Sequence, residues 1–183
     1  MRGKYGRLAL LPGTGSVPDF LKLKPAMTND FKQRLFAAQA KYYSNDPHDI
    51  EIVREICEAL IALKREDELL LWADRALALS PNAPDFVEMR AYSLNLLGRH
   101  AEAADAWARD PSLSGDPALY RVRLGYSLMM AGDLARAIPL LDEARWIAAS
   151  SNVPILAMAE HLLGEANAQG RRPARLHALA DAE

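Results

Sequence analysis

Four histidines and one cysteine are the side chains best suited to hold a metal or attack a substrate. His48, His100, His161 and His177 are scattered, and no two stand at the i, i+4 spacing that puts two imidazoles on one helical face to share a cation. They read as surface or packing residues, so no metal and no other cofactor is expected. Cys57 stands alone, which excludes an internal disulfide framework and any cysteine-based zinc site. Glu55 and Glu58 flank it on a predicted helix, where burial and negative neighbours both disfavour the thiolate. Its expected role is packing. Gly13-Thr14-Gly15-Ser16 is glycine-rich, but Pro12 and Pro18 flank it and no helix begins there to receive a phosphate. With no nucleophile elbow either, the chain is read as not an enzyme.

The rest of the composition excludes further classes. Half of the 183 residues are hydrophobic and only 7% are aromatic; Ala and Leu dominate the apolar runs, which favours helix over sheet. An all-α chain is expected. By formal count residues 1–34 sum to +5 and the remainder to −7, so the net charge of −2 hides an asymmetry. The body lacks the broad basic surface that phosphate backbones require, and no nucleic acid is expected as partner. No stretch reaches the ~20 apolar residues of a spanning helix, and Leu8 to Leu11 is shorter than a signal-peptide core of ~7–15 residues. A single cysteine and no membrane span point to a cytoplasmic protein.

The elements that position these residues emerge from internal repetition. Arg90-Ala91-Tyr92-Ser93-Leu94-Asn95-Leu96-Leu97-Gly98 and Leu124-Gly125-Tyr126-Ser127-Leu128-Met129-Met130-Ala131-Gly132 share Tyr, Ser, Leu and Gly at a shift of 34. One step further back, Cys57 falls under Ala91 and Gly125, and Leu60 under Leu94 and Leu128. Small residues therefore hold one slot three times, where two helices must cross closely. Gly98 and Gly132 stand where a helix ends in a left-handed residue, a conformation that strains any Cβ-bearing side chain. Asp133 then caps the next helix. A fixed period of this length signals a stacked helical array.

These slots resemble the tetratricopeptide repeat, a helix–turn–helix unit of 34 residues with a small residue after Leu, then Tyr, Gly at the turn, Ala in the second helix and Pro after it. Leu124, Gly125, Gly132, Ala137 and Ala144 fit one unit, and Ala76, Leu77 and Pro81 close another. The resemblance implies a right-handed helical-repeat solenoid of about three units, at 50–83, 84–117 and 118–151. It also implies a concave groove lined by the first helix of each unit. Carried over residue by residue, that groove holds Arg54, Glu58 and Ile61, then Glu88, Tyr92 and Asn95, then Leu119, Val122, Tyr126 and Met129. Two tyrosines one repeat apart, with methionines behind them, would suit a partner segment that is partly apolar or aromatic. One variant of the family grips acidic chaperone tails with Lys, Asn, Asn, Lys and Arg; the corresponding slots here are Arg54, Glu58, Tyr92, Val122 and Tyr126. Only Arg54 keeps its charge, so an acidic ligand is not expected.

Outside the repeats the pattern frays. Residues 28–49 read as a lone helix, a half repeat capped by Thr28 or Asn29, and 152–183 as a degenerate capping pair whose last helix opens at Pro173. Pro111 shortens the second helix of the middle unit, leaving Pro111 to Pro117 as an irregular connector. The basic segment 1–27 is irregular, with Pro12, Pro18 and Pro25. It reads either as a solvated tail or as an extended peptide that fills the groove of its own chain or of a second copy. The expected function is a non-catalytic adaptor or chaperone that binds a partner peptide or helix in the concave groove. The alternatives are a docking or regulatory region of a larger enzyme, such as a protein glycosyltransferase, and a small secretion or pilus-assembly chaperone.

Overall fold

The computed structural model describes residues 25–44, 49–109, 115–150 and 152–171, and among them every regular element is an α-helix. In chain order these are α1 (Pro25–Ser44), α2 (Ile50–Leu63), α3 (Glu66–Leu79), α4 (Pro84–Leu96), α5 (His100–Ala108), α6 (Pro117–Met130), α7 (Leu134–Ala148) and α8 (Val153–Gly170). They form two compact units, α1–α5 within Met1–Ser114 and α6–α8 within Gly115–Glu183. In the first, consecutive helices pack pairwise from α1 to α5; in the second, α7 packs on both neighbours and α6 also touches α8.

Short polar side chains set where several helices start. Asp49 accepts hydrogen bonds from the Glu51 and Ile52 amides at 2.9 and 3.3 Å, and Asp116 from those of Ala118 and Leu119 at 2.9 and 3.1 Å. Asp133 accepts from Arg136 N at 3.2 Å and Asn152 from Ile155 N at 3.4 Å. Each bond satisfies an amide that the helix itself leaves open, worth about 1 kcal/mol per cap. Contrary to the sequence expectation, α1 starts at Pro25, ahead of Thr28 and Asn29, which lie inside the helix. Proline at the first helical position has its φ already set and no amide to satisfy, which explains the earlier start. At the other end α5 stops at Ala108, before Pro111, which disfavours helical backbone in its predecessor.

The turns between paired helices are built alike. Gly98 and Gly132 have φ of 74° and 84°, and Lys64, at the same slot one repeat earlier, has φ of 54°. At each turn the amide of this residue donates to the carbonyl three back: Lys64 to Ile61 at 3.2 Å, Gly98 to Asn95 at 3.1 Å and Gly132 to Met129 at 3.0 Å. The next amide reaches five back: Arg65 to Leu60 at 3.1 Å, Arg99 to Leu94 at 2.8 Å and Asp133 to Leu128 at 2.9 Å. This is the paired closure that ends a helix on a left-handed residue. The small-residue slot is equally consistent, since Cys57 and Ala91 are fully buried and a Cβ built on Gly125 would lie 2.8 Å from Cγ and Cδ2 of Leu141. Pro139 sits on the exposed side of α7 without ending it.

Of the expectations above, those on residues 1–24, His48, the end of the segment at 45–48, His177, residues 110–114 and a helix opening at Pro173 fall outside the described residues.

Candidate peptide-binding face

The first helices of the pairs carry the residues expected in the groove, at i, i+4 and i+7: Arg54, Glu58 and Ile61 on α2, and Glu88, Tyr92 and Asn95 on α4. In the first unit Arg54 is half-buried and does not project as a free cation. It pairs with Asp85 at the start of α4 and with Glu51 at 3.3 Å, and its guanidinium lies 5.1 Å from the Phe86 ring centroid. Its charge thus braces α2 against α4, with the fork geometry that Arg supplies and Lys cannot. Glu58 is partly exposed and reaches Arg34 of α1 at 3.9 Å, a surface pair of small energetic weight.

Ile61 and Tyr92 are half-buried, and both pack against the cluster that contains Ile56, Leu60 and Phe86. Burial raises the Tyr92 phenol above its ordinary range, and the nearby Glu66 carboxylate adds to the rise. Glu88, one turn before Tyr92, is half-buried. Asn95 is buried, with Oδ1 3.0 Å from Nδ1 of His100 across the turn into α5. Burial also lowers the His100 pKa. Asn95 thus faces its own turn and offers no side chain to a ligand.

The second unit treats the same slots differently. Leu119, Val122, Tyr126 and Met129 are all buried, with Val122 at 0% and Met129 at 2% exposure, and it is Met130 that is exposed. The Tyr126 phenol is raised by burial first and by Glu165 of α8 second. These side chains are taken up in packing and present little surface. Within the described residues, the expected groove set with side-chain surface therefore reduces to Arg54, Glu58, Ile61, Glu88 and Tyr92 in the first unit. Around the apolar centre stand the carboxylates of Glu58 and Glu88, with Glu51 and Asp85 paired to Arg54, while Glu55 and Arg90 turn to Lys41 of α1 and Asp74 of α3.

Cys57 lies beneath this face, fully buried, and its thiol is pushed up to about 12, chiefly by burial; Arg54 pulls it down and Glu58 pushes it further up. A thiol so protonated is a poor nucleophile at neutral pH. Among the described residues no group of three or more His, Cys, Asp or Glu could hold a metal ion, and no helix is long and apolar enough to cross a membrane.

No family model matches the chain, and no curated protein matches it. Solved structures do. The crystal structure of MamA aligns with a TM-score of 0.59 at 13% identity, covering 82% of this chain and 94% of that one. MamA 41-end from Desulfovibrio magneticus RS-1 aligns with a TM-score of 0.57 at 14% identity, over 87% of this chain and 99% of that one. The MamA RS-1 ArsTM double mutant gives 0.57 at 14%, over 85% and 99%. The fold is a tetratricopeptide-like helical repeat. At this identity the likeness carries architecture and not the identity of any bound partner.

Proposed function

We propose that this chain is a non-catalytic protein-binding module, an adaptor or chaperone that holds a partner's segment against the first-helix face of α2 and α4. The observation that supports this reading is the pairing of half-exposed Ile61 and Tyr92 on one core cluster, rimmed by Glu58 and Glu88. An apolar centre with an acidic rim suits a segment that carries apolar or aromatic side chains and one or more lysines or arginines. Tyr92 is the expected anchor, because a tyrosine contributes contact area with few rotatable bonds and a polar tip. A cytoplasmic setting is part of this reading, in keeping with a single cysteine and hence no internal disulfide.

The test is affinity capture with the intact chain and with a Tyr92→Ala, Glu88→Lys variant, followed by affinity measurement with the protein recovered. Loss of the anchor is expected to weaken binding by about 2 kcal/mol, roughly thirtyfold, while the circular dichroism spectrum is unchanged. Equal capture by both chains rules this face out.

A further inference from the structure

The first helix among the described residues, α1, leaves an apolar face uncovered. Phe36 and Tyr43 on α1 are 76% and 73% exposed, and at i and i+7 they lie on one side of the helix. Phe31, Leu35 and Ala38, on another side, are buried. Tyr42 bridges the two sides: its ring packs edge-on against Trp72 at 4.8 Å and against Tyr43 at 5.3 Å. Tyr43 thus ends an aromatic row that begins in the core.

The repeat register shows that this exposure is anomalous. Moving Phe36 forward by the repeat length of 34 reaches Leu70, Ala104 and Ile138, and none of these is exposed: Ala104 is buried, the other two half-buried. The slot of Tyr43 moves to Leu77, which is half-buried and packed against the core cluster. α1 therefore occupies the place of a second helix, no first helix precedes it among the described residues, and two large aromatic rings stand in water where the complete repeats are covered. A regular first helix cannot supply the cover, because one repeat before α2 it would run over 16–29, and α1 already begins at Pro25.

We propose that residues 1–24 fold back along α1 and set Leu8, Leu10 and Leu11 over Phe36 and Tyr43. Reach permits it. From Pro25, Phe36 and Tyr43 lie about 16 and 27 Å along the helix at ~1.5 Å per residue, whereas the 14 residues from Leu11 to Pro25 can span about 46 Å extended. Tethering decides between this segment and a second copy. A short linker holds its end at a local concentration of order millimolar, well above that of a separate molecule in micromolar solution. Area points the same way, since two aromatic side chains offer at most about 400 Å², half of the ~800 Å² per partner that a stable dimer buries. The contact is apolar, not electrostatic: the segment carries Arg2, Lys4, Arg7, Lys22 and Lys24 against Asp19, and the nearest charge on this side of α1 is Lys32. The contact is therefore insensitive to salt.

The test places the photo-crosslinker p-benzoylphenylalanine at Phe36 in the full chain. Irradiated monomer is expected to form an intramolecular crosslink to the peptide that carries Leu8 to Leu11, with equal yield at 0.1 and 1 M salt and over a tenfold dilution. Changing Leu8, Leu10 and Leu11 to Ser together is expected to reduce that yield at least tenfold without altering the melting curve. A crosslink found only in covalent dimers assigns the face to a second copy, and one found only to a co-purified protein assigns it to a partner; either overturns the proposal. So does a yield that survives the triple change.

Discussion

Tyr92 and Tyr126 fill the same slot one repeat apart, in the same local sequence, yet Tyr92 is half-buried and Tyr126 is only 6% exposed. The residues around them follow suit. Glu88 keeps part of its surface, whereas Val122, its counterpart, has none. In the second unit α6 has a third helix against it: α8 packs on both α7 and α6, and Glu165 of α8 lies close enough to act on the Tyr126 phenol. In the first unit α4 packs chiefly on α3 and α5. A repeat slot thus specifies which way a side chain points along its helix, while the neighbouring helices decide whether that direction ends in solvent or in packing.

The largest effect that could break this comparison comes from truncating the two tyrosines separately. Tyr126→Ala is expected to lower stability by about 3 kcal/mol and Tyr92→Ala by about 1 kcal/mol, read from urea unfolding midpoints. Equal losses at the two sites would show that burial does not distinguish them. The small-residue slot sharpens the same contrast, since Ala91 already tolerates a Cβ. Gly125→Ala forces one to within 2.8 Å of Leu141 and should cost about 2 kcal/mol, and less than that when measured in a Leu141→Ala background.

A smaller difference separates the turns. Gly98→Ala and Gly132→Ala should each cost about 1 kcal/mol, because their φ values lie in the left-handed region, whereas Lys64→Gly should stabilise by about 1 kcal/mol by relieving the same strain. Opposite signs in thermal melts are the expected outcome, and a loss on Lys64→Gly would mean that the lysine side chain does more than cap. The smallest effect is alkaline. Burial holds both phenols above their ordinary range, so the unfolded chain loses those protons first as pH rises through about 10. The unfolded state then binds fewer protons than the native one, and stability falls with rising pH. Tyr92→Phe and Tyr126→Phe should each flatten that decline, as seen in melting midpoints between pH 9 and 11.

Much of the fold was readable because it rests on local and periodic signals. The recurrence of Tyr, Ser, Leu and Gly between 90–98 and 124–132 marked the helix pairs, Gly98 and Gly132 marked left-handed turns, and Asp133 marked a cap; each acts within a few residues of chain. Lys64 was missed at the first turn because nothing in its type suggests a positive φ, although its position in the period does. The candidate face was readable only in part. Spacing put Arg54 on the stripe, but its engagement with Asp85 and Phe86 is a contact between different helices that no spacing rule contains.

By itself, then, the sequence determined the helix pairs, their turns, the close crossings at Cys57, Ala91 and Gly125, and the inertness of a cysteine between two glutamates. Periodicity and short-range sterics suffice for those. Only the tertiary structure decided which members of a stripe stay at the surface: Tyr92 but not Tyr126, Glu88 but not Val122, Met130 but not Met129. It likewise left Phe36 and Tyr43 exposed where their repeat counterparts are covered. Exposure depends on helices distant in the chain, and a repeating pattern assigns the same residue types to a slot whether or not a neighbour arrives to bury it.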